Sequence, residues 1–312
     1  MSNILINRIL LVWGCDPARQ YEAGWLNWLL QPVRQCASCQ INSFAVNDLE
    51  IVLVESGILS LERSVSLDQL NELHQQRLSR LQAFAKLGKY SVIHLSDEEG
   101  VDGDSLYPML SDQTIVWRNF AYPRFQQRTG LYSFPIGPRV EFLEPRFQIK
   151  YNQPASLRDF PWGFMGTLWP SGSRGLATSL FLRGLPHGFF YGCRGFARGL
   201  PIHSYHAKLL QCSFVLCPEG DRHLDTFRLY EALQSGCIPV LVDQRSMAAD
   251  LLGFVVPFPV FDNWLNALDW VKSLLANPVE LDKTQELIGM WWQQHRNSLS
   301  RSMRQTLTTK AF

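Results

Sequence analysis

Thr226, Arg228 and Glu231 lie on one short stretch of this 312-residue sequence and carry its clearest chemistry. They fall within Ser213–Asp243, SFVLCPEGDRHLDTFRLYEALQSGCIPVLVD. That segment reads as a buried strand, a polar loop with Gly220, a helix opening at Asp225, and a Gly-terminated turn into another strand. On the helix Leu229, Ala232 and Leu233 form the buried stripe, while Arg228 and Glu231, three apart, share a flanking face. A helix N-terminus presents free N–H groups and a partial positive charge, which suits a diphosphate. Thr226 and Arg228 add a hydroxyl and a guanidinium there, and Glu231 has two acceptor oxygens suited to the paired hydroxyls of a ribose. The same residues also fit a purely structural arrangement, with Asp225 capping the helix and Arg228 pairing with Glu231 at the surface. Taken alone they leave both readings open.

The elements that must position these groups alternate along the whole chain. Arg8–Trp13, Ile51–Val54, Val92–Leu95 and Ile115–Trp117 read as strands, and Ser66 caps a helix over Leu67–Leu87. Prolines 123, 135, 138, 145, 154 and 161 then fall at short intervals, which marks a crossing between two domains. A second alternation follows: strands at Trp162–Gly166, Phe189–Tyr191, Ser213–Cys217 and Ile238–Val242. Helices lie between them, at Ser173–Arg183, Tyr205–Leu210 and Asp225–Ser235, and then at Asn263–Ala276 and Pro278–Leu299. The expected fold is α/β, with one domain over 1–150 and a second over 151–312, whose last helix crosses back. A net charge of +1 argues against nucleic acid as a partner. No apolar run reaches the roughly 18–20 residues of a membrane span. The seven cysteines read as reduced core thiols, and the lone Cys36/Cys39 pair supplies too few ligands for zinc, so no metal is expected.

Cys217-Pro218-Glu219-Gly220, Asp225-Thr226-Phe227-Arg228-Leu229-Tyr230-Glu231-Ala232-Leu233 and Gly236-Cys237-Ile238-Pro239-Val240 together resemble the C-terminal signature of exostosin-like glycosyltransferases, glycosyltransferase family 47. Trp162–Arg174 is similar to the strand and basic segment that open that family's donor-binding half, and Tyr205 and Lys208 fit the helix before Ser213. His94–Glu98 and Phe134-Pro135-Ile136-Gly137 are more faintly similar to the N-terminal half and exit of the ribitol-xylosyltransferase-like branch. The resemblance implies a GT-B architecture, two Rossmann-like domains facing across a cleft. It implies an inverting transferase that takes a sugar from a nucleotide-diphosphate sugar, expected to be a UDP-sugar, to a hydroxyl of a glycan or glycolipid. Glu231 would bind ribose; Thr226, Arg228 and Arg174 would contact the diphosphate; Glu219 and Gly220 would line the sugar pocket. The alternatives are a non-catalytic glycan- or nucleotide-binding partner of an active transferase and a GT-B epimerase or phosphorylase.

For the acceptor hydroxyl, the loop after Val92–Leu95 offers Asp97 or Glu98 as general base, with a solvated acidic turn as the plain alternative. Arg118 is a candidate phosphate or acceptor contact, and His94 reads as a core histidine. Asp102-Gly103-Asp104 has the DxD form that holds a divalent ion in another transferase fold. Here it reads as an acidic turn, so changing both aspartates to Asn is expected to be nearly silent. Trp291-Trp292 with Arg296, Arg301 and Arg304 is expected to pack as an amphipathic tail, with peripheral membrane contact as the alternative. A cytoplasmic enzyme acting on a carrier-linked glycan is the expectation.

Overall fold

The computed structural model describes residues 8–43, 49–58, 66–145, 153–169, 172–195, 198–253 and 255–308. The chain divides into two compact units. One comprises Met1–Ile136 with Arg296–Phe312, the other Gly137–His295. The division thus falls within the proline-rich stretch but ahead of the expected 150/151, a point that lies outside the described residues. The last helix begins in the second unit and ends in the first.

In the first unit, β1 (Ile9–Trp13), α1 (Ala23–Leu30), β2 (Arg34–Ala37), β3 (Glu50–Ser56), α2 (Leu67–Leu87), β4 (Ser91–Leu95), α3 (Val101–Leu106), β5 (Val116–Arg118) and β6 (Leu131–Ser133) alternate strand with helix. The six strands pair in parallel in the order β2-β1-β3-β4-β5-β6. The apolar residues of the inner strands β1, β3, β4 and β5 are buried on both faces, as a doubly covered parallel sheet requires. Helix α2 begins where the sequence places it, because Ser66 and Gln69 close a capping box.

The second unit repeats the plan. Its elements are β7 (Phe160–Thr167), α4 (Arg174–Gly184), β8 (Phe189–Cys193), α5 (Ile202–Leu210), β9 (Cys212–Leu216), α6 (Phe227–Gln234), β10 (Ile238–Val242), α7 (Ala248–Leu252), β11 (Val260–Phe261), α8 (Trp264–Leu275) and α9 (Pro278–Thr308). The sheet order is β11-β10-β9-β7-β8, again all parallel. Both sheets therefore reverse their winding beside the first strand of the unit, between β1 and β3 and between β7 and β9. Ligands of such sheets bind outside the carboxyl ends of the strands at that reversal. Two Rossmann-like α/β units, the composition of a GT-B protein, are what the chain folds into.

The tail packs. Trp292 is buried and donates to Gln234 Oε1 at 3.0 Å, while Trp291 meets Phe258 edge-on. Ser300 and Arg304 both donate to the Leu29 carbonyl at the end of α1. Among the described residues no helix is long and apolar enough to cross a membrane.

The DxD tripeptide is not a turn. Asp102 and Asp104 lie in α3, and Asp102 is fully buried. It takes an Arg77 N–H at 2.7 Å, meets His94 Nε2 at 2.9 Å, and accepts from the Ile58 N–H at 3.2 Å. Burial pushes its pKa up, but His94 and the Arg77 guanidinium outweigh that and hold it at about 2. The acidic-turn reading is therefore corrected for Asp102, which is a buried partner of Arg77 and His94. Breaking a buried pair from one side costs about 3–5 kcal/mol, so Asp102→Asn should be destabilised on that scale in urea. Exposed Asp104, paired only with exposed Arg124, should lose no more than about 0.5 kcal/mol as Asn. Because folding lowers the Asp102 pKa from 3.8 to about 2, its contribution is present above the unfolded value and is lost as pH falls through the folded one. Acid titration of stability should show that step in the wild type and not in Asp102→Asn.

Candidate nucleotide-sugar site

Helix α6 follows β9 directly, so its N-terminus stands at the carboxyl edge of the second sheet beside the β7/β9 reversal. The helix starts at Phe227 with Thr226 at its N-cap, two residues later than the sequence suggests. Asp225 does not cap it: its carboxylate takes the Tyr230 hydroxyl at 2.5 Å instead. Thr226 has the extended backbone of a cap, yet its hydroxyl bonds no helix N–H. Its Oγ1 is buried with no hydrogen-bond partner.

Arg228 is only 8% exposed. Its Nε and Nη2 donate to the Met165 carbonyl at 3.2 and 3.1 Å, and its guanidinium lies over the Phe164 ring at 4.5 Å. Nη1 is buried without a partner, and among the described residues no carboxylate pairs with the group. The close approach explains Gly166, since a Cβ there would come within 2.1 Å of Nη2. A buried guanidinium with an unmatched N–H and a buried hydroxyl with none of its bonds made are both costly unless something anionic answers them.

Glu231, one turn on, is buried and does not pair with Arg228, contrary to the surface-pair arrangement. Arg139 Nε donates to Oε1 at 2.5 Å and the Tyr205 hydroxyl to Oε2 at 2.8 Å. Arg139 also lies over the Tyr205 ring, which stands edge-on to buried Phe142. Burial and then the Glu231 charge push the Tyr205 hydroxyl well up, so it stays a donor. Against the opposing effect of burial, the carboxylate raises the Arg139 pKa. Sequence reasoning missed Arg139. Its only signal is its place right after Phe134–Pro138, 92 residues from the carboxylate it serves.

The remaining donor-side residues hold loops. Arg174, at the start of α4, donates to the Glu219 and Thr167 carbonyls at 2.8 and 2.7 Å, joining the loops after β9 and β7. Glu219 takes Arg245 Nη2 at 2.5 Å, and Gly220 is buried. Positions 170–171 of the upstream basic segment lie outside the described residues.

In the first unit the structure corrects two assignments. Asp97 is buried and surrounded by donors: the N–H groups of Asp102 and Gly103 at 3.1 and 2.9 Å, and Arg118 Nη2 at 3.2 Å. It starts α3 and neutralises Arg118. Arg118 is wholly buried, with its other N–H groups on the carbonyls of Asn119, Phe120 and Asp97 and on the Tyr107 hydroxyl. Such a guanidinium presents nothing to a ligand. Glu98 is half-buried, and its carbonyl accepts from Tyr122. His94 is a core residue bonded to Asp102 and Tyr107.

The geometry is that of a Rossmann-like α/β protein in which a helix terminus with an unmatched guanidinium and hydroxyl stands near a held carboxylate at a sheet reversal. The model of the RXYLT1 C-terminal domain matches residues 145–312, more than half of the sequence, and the chain belongs to that family. It is also 37% identical over 73 residues to Exostosin-1 of Drosophila melanogaster, 23% of this chain and 8% of that protein's length. The chain thus spans a small part of that curated relative. Among solved structures, a mutant of the Thermobaculum terrenum O-GlcNAc transferase aligns with a TM-score of 0.49 at 11% identity, covering 99% of this chain and 69% of that one.

Removing the Glu231 carboxylate strands a buried phenol and a cation at once. Glu231→Ala should therefore lose about 2–4 kcal/mol in urea unfolding, and Glu231→Gln, which keeps an acceptor for Tyr205, less than half of that.

Proposed function

We propose that the chain is an inverting glycosyltransferase that moves a sugar from a UDP-sugar to a hydroxyl of a glycan or glycolipid, without a metal ion. One observation carries the reading: Thr226 Oγ1 and Arg228 Nη1 are buried without partners on the first turn of α6. A diphosphate would accept from both. Glu231 fits the ribose. A carboxylate has about four lone-pair sites, of which Arg139 and Tyr205 use two, and the rest can accept from a diol. Membership of the family and the exostosin-like motif support the same activity.

In an inverting transfer the acceptor oxygen attacks the anomeric carbon as its bond to the diphosphate breaks. Charge grows on the departing phosphate, and cationic and N–H donors fixed in place stabilise that growth. Arg228 and the α6 terminus would do so here. Arg174 and Glu219 would shape the pocket by holding the loops after β7 and β9. The seven cysteines are all free, which suits a reducing, cytoplasmic compartment. Arg301 is exposed on α9 and is the place where a peripheral membrane contact would act.

The test begins with UDP binding by calorimetry. Arg228→Ala should weaken it ten- to a hundredfold, about 1.4–2.8 kcal/mol. Gly166→Ala, which pushes the guanidinium off the Met165 carbonyl, should weaken it in the same direction in a folded protein. Unchanged affinity in both would sink the site. Sugar transfer should survive excess chelator; loss rescued by manganese or magnesium would refute metal independence. Tight UDP binding with no transfer from any nucleotide sugar would instead indicate a binding partner of another transferase.

A further inference from the structure

Arg139 holds Glu231 through one nitrogen and leaves the rest of its guanidinium open. The local sequence plants it. Pro138 fixes the backbone ahead of it, and Arg139 caps a short helical turn over Val140–Leu143. The Phe142 N–H returns to the Arg139 carbonyl at 3.0 Å. That turn buries Phe142 completely, edge-on to Tyr205 at 6.0 Å and to His206 at 5.4 Å. The guanidinium is thereby laid over two rings, 5.2 Å from the Tyr205 centroid and 5.9 Å from that of Phe142. All of these residues, with Glu231, belong to the second unit.

A guanidinium carries N–H groups on all three nitrogens in one rigid plane. Nε donates to Glu231 Oε1; among the described residues Nη1 and Nη2 make no hydrogen bond, and no second carboxylate pairs with them. The Arg139 side chain is 33% exposed and that of Glu231 3%, so a ligand that reaches the carboxylate meets the guanidinium on its way. Together the two side chains offer an acceptor with donors beside it, which calls for a ligand with a donor beside an acceptor. A ribonucleotide has that pattern. Its 2′-hydroxyl is a donor, and next to it on the same edge lies the acceptor of the base, the 2-keto oxygen in a pyrimidine. The 4-substituent that separates uracil from cytosine lies across the ring from that edge.

We propose that Arg139 binds the nucleotide directly: its Nη groups donate to the 2-keto oxygen of the pyrimidine while Glu231 accepts from the neighbouring 2′-hydroxyl. The proposal rests on the nucleotide-sugar reading, in which Thr226 and Arg228 take the diphosphate. It seats the base beside the Arg139 guanidinium, within the second unit alone. Glu231 and the two rings fix that guanidinium before the ligand arrives, so little side-chain freedom is lost on binding. A lysine at this position would neutralise Glu231 as a point charge but would lack the second donor in the same plane. The residue type therefore matters as well as the charge.

The experiment is calorimetry of the chain with UDP, with 2-thio-UDP, in which sulfur replaces the 2-keto oxygen, and with 2′-deoxy-UDP. The wild type should bind each analogue about tenfold more weakly than UDP, the loss of one charge-assisted hydrogen bond. In Arg139→Lys the UDP affinity should fall about tenfold and the preference for oxygen over sulfur should shrink below about twofold, while the preference for ribose over deoxyribose stays. An arginine that only held Glu231 in place would weaken UDP and 2-thio-UDP alike, leaving their ratio unchanged, and that result would overturn the proposal. So would equal wild-type affinity for UDP and either analogue, a result that needs no variant to fold. A wild type that binds no UDP at all would instead overturn the nucleotide-sugar reading beneath it.

Discussion

Arg77 lies wholly inside the first unit, with one N–H on Glu55, one on Asp102 and one on the Ser56 carbonyl. A charge taken out of water must find its counterpart there, and this requirement organises the carboxyl edge of the first sheet. Arg77 ties α2 to β3 and α3, Arg80 adds a bidentate grip on Glu55, and Arg118 ties β5 to the start of α3 through Asp97. Three arginines answer three carboxylates. The ends of β3 and β5 are thereby tied to the helices beside them.

Against that compensation, the unanswered groups stand out. Among the described residues of the second unit Arg228 has a carbonyl and an aromatic ring but no carboxylate, and the Thr226 hydroxyl has no partner. In the first, Glu22 has a serine but no cation. A guanidinium left unmatched waits for an anion, and a carboxylate left unmatched holds a proton more readily. Both lie at the reversal of a parallel sheet, where the strands part and backbone N–H groups and loops converge.

Glu231 belongs to a third kind. Its two partners come from distant parts of the second unit, Arg139 at its start and Tyr205 on α5. Held on two sides, the carboxylate is aimed and does not pair with Arg228 one turn away. That separation leaves the guanidinium and the carboxylate unpaired with each other on α6.

How much of this the sequence shows depends on how local the cause is. Alternating apolar runs give the strands and helices of a twice-repeated α/β plan. Capping residues give boundaries, as Ser66 does for α2 and Asn263 for α8. The order Thr226, Arg228, Glu231 is a local motif that the sequence shows, although by itself it leaves a ligand site and a structural arrangement both open. Short elements escaped, among them α1, β2, α3 and β6, because stretches of three to eight residues carry too little periodicity to separate from loops. Charge was the larger omission. Asp97, Arg118 and Asp102 look like surface or site residues in one dimension, and only the fold brings them to arginines and carbonyls that neutralise them. The same holds in reverse for Glu22 and Arg139, which the sequence leaves unmarked. Residue types and their spacing determine which elements form and where a motif lies; whether a charge is matched depends on contacts across the sheet, which no local pattern encodes.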